Sequence, residues 1–255
     1  MSPLILTALM ACDPTTGESA EPEDSSLDSQ DSSPVAIATF SGVVYQFQTH
    51  EPLPGATVTL EEHPELSTVT DDSGAYVLEG VPVGERVTPK IELSKHVNAW
   101  HQSITVEGDV EMLYFQAIPT TVFNLLKAGI EDGGVEVDLD TACAVVTTVS
   151  DASMASVQDW EAFLERGDAG ELAGASAEIL PSSGLRLYFN EEVRPDPTKT
   201  ETTTDGGVLW LNVSPGDYTL SASHPEASFP EVDIDCEAGR FINASPPKGL
   251  TALAE

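Results

Sequence analysis

Residues 68–84, TVTDDSGAYVLEGVPVG, decide the fold. The carboxylate of Asp71 or Asp72 can accept hydrogen bonds from local backbone N–H groups, and Gly74 can adopt a positive φ. Asp-Asp-Ser-Gly therefore predicts a hairpin turn. After the turn, alternate residues are apolar, which predicts a half-buried strand, and Gly84 belongs to the turn that ends it.

The same pattern extends upstream. In residues 55–61, GATVTLE, the side chains of Ala56, Val58 and Leu60 share one face, and polar side chains share the other. This alternation predicts a second half-buried strand.

Both stretches recur later in the chain. Residues 174–180, GASAEIL, match the first strand, and residues 202–216, TTTDGGVLWLNVSPG, match the turn and second strand. A shift of 132 residues places Gly74 on Gly206 and Gly84 on Gly216. The same shift places the inward-facing Leu78 on Trp210, so Trp210 is predicted to be a core residue. Self-similarity of this length predicts two copies of one supersecondary plan.

The motif Gly-Ala-x-Val-x-Leu, followed by Thr-Asp-x-x-Gly-x-Tyr and Gly-Val-Pro-x-Gly, resembles the carboxypeptidase regulatory-like domain. This domain belongs to the transthyretin-like group of seven-stranded Greek-key β-sandwiches. The resemblance implies an all-β protein with two tandem Ig-like sandwiches, at residues 39–119 and 120–245. It implies no catalysis, because in the parent enzymes the zinc chemistry lies in another domain. Such modules recur in bacterial surface proteins and lipoproteins.

The N-terminus resembles a bacterial lipoprotein signal. Leu9-Met10-Ala11-Cys12 fits the lipobox, which implies a signal peptide at residues 1–11 and lipid attachment at Cys12. Two or more acyl chains give stable membrane anchoring. Because the first basic residue is Arg86, the usual basic start is missing, and we expect the natural start upstream.

Residues 12–38 are predicted to form a disordered acidic tether. Between residues 13 and 38 there are seven acidic residues, six serines, three prolines and no Lys or Arg. Such a segment cannot bury enough apolar surface to offset its chain entropy. Residues 246–255, which follow Ser245 and begin with two prolines, are predicted to form a disordered tail.

The chain has three cysteines. If Cys12 carries lipid, Cys143 and Cys236 remain as an even pair, and an oxidising compartment favours a disulfide between them. Two buried free thiols are the alternative.

One helix is predicted inside the second unit, near residues 153–167. Ser156 and Asp159 resemble a capping box, and Val157, Trp160 and Leu164 would share one face of this helix. It is interpreted as an amphipathic lid on the sandwich, with a partner-binding helix as the alternative. Residues 122–127, VFNLLK, fit a short helix or a strand.

The charge balance excludes several function classes. Lys and Arg total 10 against 43 Asp and Glu, a formal charge of −33, which argues against binding nucleic acid or anionic lipid headgroups. Repulsion between copies favours a monomer. The chain contains no His-Glu-x-x-His, His-x-x-Glu, Gly-x-Ser-x-Gly, phosphate-loop or dinucleotide motif. We therefore predict no catalytic residue, no metal site and no cofactor.

Trp100 is the aromatic residue predicted to be exposed, in a loop, with a weak ligand-binding role. The histidines on either side of it, His96 and His101, are predicted to be solvated or to cap backbone groups. The sequence thus predicts a non-enzymatic bacterial lipoprotein of the cell envelope, at the outer membrane or cell surface. Its two sandwiches would serve structural, adhesive or protein-binding purposes. The alternative is a carbohydrate-binding surface protein that recognises a polysaccharide.

Overall fold

The computed structural model describes residues 36–166, 170–244 and 246–254. Within them the fold is all-β, as predicted, with two α-helices. The strands of the first half are β1 (Ile37–Gln46), β2 (Thr57–Leu60), β3 (Ser67–Val69), β4 (Ala75–Pro82), β5 (Arg86–Val87), β6 (Pro89–Glu92), β7 (Ala99–Trp100), β8 (Ile104–Thr105) and β9 (Phe115–Ala117). Those of the second half are β10 (Cys143–Thr148), β11 (Ser176–Leu180), β12 (Leu185–Phe189), β13 (Pro195–Asp196), β14 (Gly207–Val213), β15 (Gly216–Ser223), β16 (Val232–Cys236) and β17 (Phe241–Ala244). The helices are α1 (Thr120–Asp132) and α2 (Trp160–Arg166).

The strands form four sheets within the described residues. Their orders are β4-β1-β9, β11-β15-β16, β5-β8 and the nine-stranded β13-β12-β14-β10-β17-β7-β6-β2-β3. The nine-stranded sheet passes from one half of the chain to the other where Ile242 of β17 pairs with Trp100 of β7. The predicted module boundary, after residue 119, coincides with the start of α1, so residues 122–127 are helical.

The two halves repeat the same strand register. The pair β1–β4 corresponds to β10–β14 if β1 is shifted by 105 residues and β4 by 132. Each pair carries an irregularity at the equivalent place, after Ala38 in β1 and after Cys143 in β10. The matched cross-strand pairs are Ala38↔Val81 with Cys143↔Val213, Phe40↔Leu78 with Val145↔Trp210, and Gly42↔Tyr76 with Thr147↔Val208. Trp210 is buried, as its position in the repeat predicts.

A buried threonine joins the loop before β2 to the turn before β4. The Thr70 Oγ1 accepts a hydrogen bond from the Ala56 backbone N at 2.9 Å and donates one to the Leu53 carbonyl at 2.7 Å. The second copy repeats this arrangement with Thr202 Oγ1, the Ala175 backbone N at 2.9 Å and the Leu172 carbonyl at 2.6 Å. Because both threonines satisfy backbone groups that have lost contact with water, each stabilises the same crossing of the chain.

The glycine of each hairpin turn packs against a distant backbone segment, β1 in the first copy and the residue after β10 in the second. Gly74 has φ +72°, and a Cβ there would lie 2.7 Å from the Val44 carbonyl oxygen. Gly206 has φ +68°, and its Cβ would lie 2.6 Å from the Val149 carbonyl oxygen. Only glycine combines this backbone conformation with such a close approach.

The other predicted turn residues differ between the copies. Asp71 Oδ1 accepts hydrogen bonds from the backbone N of Ser73 at 2.8 Å and of Ala75 at 3.1 Å. The side-chain hydrogen bond from Ser73 is the main reason that the pKa of Asp71 is lowered. Gly84 has φ +92° with open space around it, whereas Gly216 is the first residue of β15.

The predicted helix is present, but it begins later and buries a different face. The backbone N of Ala162 donates to Asp159 Oδ1 at 2.8 Å, so Asp159 caps α2, and the capping box at Ser156 is wrong. Residues Met154–Ser156 form a separate 3-10 turn. Phe163 is buried, whereas Leu164 is 42% exposed. The buried face differs because Val157 lies outside α2 and because Phe163 packs against Tyr45 and Tyr114 of the first half. The predicted helix end at Gly167 lies outside the described residues.

The two chain ends differ from the expectation of a tether and a tail. Strand β1 begins at Ile37, and Ala38 is buried, so the last two residues of the predicted tether belong to the sheet. At the other end, Leu250 is fully buried, and its carbonyl accepts the backbone N–H of Ser150 at 3.1 Å. Leu250 is ordered because it packs into the core of the second half. The two prolines at the start of this segment had suggested a loose end instead. The predicted signal peptide, residues 12–35 of the tether with Cys12, Ser245 and Glu255 lie outside the described residues.

Helix α2 covers the outer face of the first half. The rings of Trp160 and Phe163 lie 5.1 and 5.8 Å from that of Tyr45 in β1. The Phe163 ring also lies 5.0 Å, edge to face, from that of Tyr114. Because aromatic pairs of this geometry are favourable, α2 of the second half is fixed to the first half and acts as a lid.

The tight glycine turn gives a direct test of the repeat. We expect Gly74→Ala to lower the free energy of unfolding by about 3 kcal/mol, because the left-handed strain is joined by a backbone clash. Gly84→Ala, where φ is also positive but no atom lies within 4 Å, should cost only about 1–2 kcal/mol from backbone strain. Urea unfolding of both variants measures the difference, and equal losses would contradict the close packing at Gly74.

Candidate functional site

The predicted disulfide between Cys143 and Cys236 is confirmed. It joins β10 of the nine-stranded sheet to β16 of the β11-β15-β16 sheet, with 5.8 Å between the two Cα atoms. Both residues are buried in the core of the second half. The bridge closes a long loop, with a sequence separation of 93 residues. A loop of this size corresponds to about 4–5 kcal/mol of stabilisation in the chain-entropy model.

Trp100 does not lie in an exposed loop; this prediction is wrong. It is half-buried in β7, between β6 and β17. Its indole N–H donates to Glu61 Oε2 at 2.8 Å. The Lys90 ammonium lies 5.0 Å and the Arg240 guanidinium 5.5 Å from the centroid of the ring. The ring is therefore engaged by cation–π contacts, and this arrangement gives no support to its predicted ligand-binding role.

Arg240 is the centre of this cluster, and the sequence reasoning missed it. It is only 3% exposed, yet its guanidinium contacts three carboxylates. The distances are 2.6 Å to Asp235, 2.9 Å to Glu237 and 3.3 Å to Glu61. Since Glu61 belongs to the first half of the chain, the network joins the two halves beside the β7–β17 pair. The chain has only 10 Lys and Arg residues against 43 Asp and Glu residues. This imbalance was the sequence feature that could have indicated a basic side chain paired with several carboxylates.

His101 is fully buried, so the prediction of a solvated or capping histidine is wrong for this residue. Neither ring nitrogen has a hydrogen-bond partner. The ring packs edge to face on Phe115 at 5.4 Å. Burial, with a smaller contribution from the nearby Lys248 charge, lowers the pKa of His101 to about 3. The neutral ring therefore acts as a core aromatic. His96 is half-buried, and its Nδ1 lies 3.1 Å from the Ser94 carbonyl.

A groove of about 660 Å³ lies between α2 and strands β1, β10 and β12. Aromatic side chains, among them Tyr45 and Phe189, alternate in its wall with the carboxylates of Glu191 and Asp205. These carboxylates already have protein partners: Lys199 lies 3.3 Å from Glu191, and the Gly207 backbone N donates to Asp205. The groove thus offers an acidic, aromatic surface without a free catalytic pair among these groups.

The described residues contain neither a metal-binding cluster nor a membrane-spanning helix. No group of three or more His, Cys, Asp and Glu side chains is arranged there to hold a metal ion. No helix among residues 36–166, 170–244 and 246–254 is long and apolar enough to cross a bilayer.

The buried histidine predicts an acid-labile core. An unfolded histidine has a pKa near 6.5, so between about pH 6.5 and 3 the unfolded chain binds one more proton than the folded chain. The contribution of neutral His101 to the free energy of unfolding is therefore fully present above about pH 6.5, and it decreases as the pH falls below that value. We expect a loss of about 2 kcal/mol between pH 7.5 and 5.0 from this group, and His101→Phe should abolish it.

His63 supplies the matched control. A hydrogen bond with Glu85 raises the pKa of His63, so His63→Gln should remove a stabilisation that is present at low pH, the opposite sign. Urea unfolding at both pH values separates the two effects. An unchanged pH dependence in His101→Phe would refute the assignment.

Comparison with solved structures gives only distant likenesses. The Bacillus anthracis TIE protein is 14% identical, with 86% of this chain and 34% of that chain covered and a TM-score of 0.27. The minor pilin GBS52 of Streptococcus agalactiae is 9% identical, with 86% and 96% covered and a TM-score of 0.28. A cohesin–X-dockerin complex of Acetivibrio cellulolyticus is 25% identical over 32% of this chain and 55% of that chain, with a TM-score of 0.27. The chain thus spans about a third of the first protein and about half of the third. TM-scores this low carry no argument about fold or function.

No curated protein matches the chain significantly. The family model of the carboxypeptidase regulatory-like domain matches residues 39–116. This match covers β1 from its third residue, all of β2 to β8 and all but the last residue of β9, including the glycine turn and Thr70. The first half of the chain is therefore similar to the carboxypeptidase regulatory-like domain over residues 39–116.

Proposed function

We propose that this chain is a non-enzymatic protein of the bacterial cell envelope. It is held at a membrane by lipid on Cys12, and an acidic tether keeps the folded body away from the surface. The body consists of two tandem β-sandwich modules, residues 39–119 and 120–245, which serve structural, adhesive or protein-binding contacts. It acts as a monomer.

The Cys143–Cys236 disulfide is the observation that carries this proposal. Disulfides form and persist in oxidising compartments and are rare in the cytosol of most organisms. Export gives a role to all three cysteines: Cys12 carries the lipid, and Cys143 and Cys236 form the disulfide in the core. The lipobox at residues 9–12 supplies the route of export and the point of attachment.

The cross-braced body supports a role in presenting a surface. The Arg240 network joins the two halves, and α2 is packed by aromatic rings onto β1. A rigid body of this kind holds its surfaces in a fixed relation, which lowers the entropic cost of binding a partner. The carboxypeptidase regulatory-like match in residues 39–116 agrees with an accessory module.

Lipid attachment is tested by metabolic labelling with an alkynyl fatty acid in a bacterial host that expresses the full chain with its own upstream codons. We expect label on the wild type and its recovery in the membrane fraction. Cys12→Ser should lose the label and move to the soluble fraction, because acyl chains supply the anchoring energy.

The double variant Cys143→Ser/Cys236→Ser is the matched control, since it removes two other thiols and should keep the label. An unlabelled wild-type chain in the soluble fraction would reject the anchored protein proposed here.

A further inference from the structure

The two repeats differ at one pair of equivalent strand edges, which is paired with another strand in the second half and unpaired in the first. In the second half, β12 lies beside β14, with pairs that run from Leu185↔Leu211 to Tyr188↔Val208. In the first half, the counterpart of β14 is β4, which ends the β4-β1-β9 sheet. Among the described residues no strand pairs with the outer side of β4. One repeat therefore has an added strand at the place where the other has an open edge.

The connection that precedes each strand explains the difference. In the first half this connection forms β3, which pairs with β2 through Thr57↔Val69, in the other sheet of the sandwich. In the second half it forms β12 and covers β14 instead, so β11 is left at an edge. That edge is covered by side chains. The Ala177 backbone N donates to the Tyr188 hydroxyl at 3.1 Å, and Arg186 donates to the Ala177 carbonyl.

The other sheet ends are short or covered. Strands β3, β9 and β13 have three, three and two residues. The Phe47 backbone N donates to the Ala117 carbonyl of β9, and the Ser103 backbone N donates to the Asp233 carbonyl of β16. Strand β4 has eight residues, and residues 75–79 form a continuous edge before the irregularity at Gly80, where φ is +83°. Long open edges are uncommon, because they invite pairing with another chain.

The solvent face of β4 combines apolar and acidic groups. Val77 is 53% exposed, and Glu79, two residues on, is exposed on the same face. Ile37, which pairs with Pro82 at the end of β4, is 68% exposed. A strand beside this edge would place an apolar side chain opposite Val77 and a cationic one opposite Glu79, since directly opposed residues share a face.

We propose that the open edge of β4 binds an extended segment of a partner protein in which apolar side chains alternate with Lys or Arg. The segment adds as an antiparallel strand in the register that β12 takes on β14. Backbone hydrogen bonds supply affinity, and the side chains opposite Val77 and Glu79 supply selectivity. The formal charge of −33 favours a basic partner and opposes a second copy of this chain.

This inference names the partner of the protein-binding role proposed above and rests on it only for its place in the cell. Binding is measured with purified full-length chain, whereas lipid labelling does not involve β4. A negative result in the peptide-binding experiment therefore does not affect the interpretation of the lipid-labelling experiment, and the reverse also holds.

The probe is a synthetic peptide of residues 184–190 of this chain carrying Leu185→Lys, which places a cation opposite Glu79. Calorimetry measures its affinity, and hydrogen exchange locates it. We expect saturable binding with slower exchange at the amides of residues 76–80. No saturable binding, or protection elsewhere, would overturn the proposal.

N-methylation separates strand pairing from charge attraction. One peptide is methylated on the backbone nitrogens of residues 185, 187 and 189, and another on those of 186 and 188. Successive N–H groups of a strand point to opposite sides, so one form should lose binding and the other should keep it. Equal binding of both forms would show charge attraction alone and refute strand addition.

A variant of the protein tests the predicted partner chemistry. Glu79→Lys should weaken peptide binding about 3–10-fold, because an attractive cross-strand pair becomes repulsive. Glu231→Lys, at an exposed position before β16, makes the same change in net charge and should have a smaller effect. Equal effects would contradict the placement at β4. Sedimentation of the purified chain as a dimer, with slow exchange at the amides of residues 76–80 in the absence of peptide, would assign the edge to a second copy and overturn the proposal.

Discussion

The structure depends on a buried positive charge where the two repeats meet. Arg240 contacts Asp235, Glu237 and Glu61, with its guanidinium against the Trp100 ring. In a chain of such negative charge, carboxylates that converge on one place would repel each other. The guanidinium reverses that repulsion in a poorly solvated site, and its planar donors can reach several oxygens at once. The cluster lies at the point where the nine-stranded sheet passes from β7 to β17.

The continuity of sheet and core explains why the two repeats form one body. The core around Phe40 and Leu78 also contains Leu209, Leu211 and Phe241 of the second half. In the second repeat the face of β14 that carries Leu209 and Leu211 is covered, whereas the equivalent face of β4 carries the exposed Val77. The two halves share a strand register but differ in this face: the second half packs it inside the molecule, and the first half leaves it to solvent.

Local sequence patterns predicted the parts of the fold that local chemistry determines. Strand alternation and the glycine turns at Gly74 and Gly206 follow from residue type and spacing. The Cys143–Cys236 pairing is predicted only by elimination, once Cys12 is assigned to lipid. The surroundings of Trp100, His101 and Leu250 could not be predicted, because they depend on contacts between segments distant in sequence. His101 is followed by the polar residues Gln102 and Ser103, which gave no sign of a buried position, and Leu250 follows two prolines that suggested a loose end. The start of α2 was missed because Ser156 and Asp159 are both good caps, and only packing selects between them.

The most direct test of the central claim compares two arginines that each lie 2.6 Å from a carboxylate. Arg240→Met removes the buried charge, and Arg86→Met removes the partner of exposed Asp217. Urea unfolding of the full chain should show a loss of about 2–3 kcal/mol for Arg240→Met, because the carboxylates of Asp235, Glu237 and Glu61 are left close together without a cation. Their partial exposure to solvent keeps this loss below that of a fully buried ion pair. The loss for Arg86→Met should be about 0–1 kcal/mol, since solvent screens that pair. Equal losses in the two variants would contradict the claim that the buried guanidinium holds the repeats together.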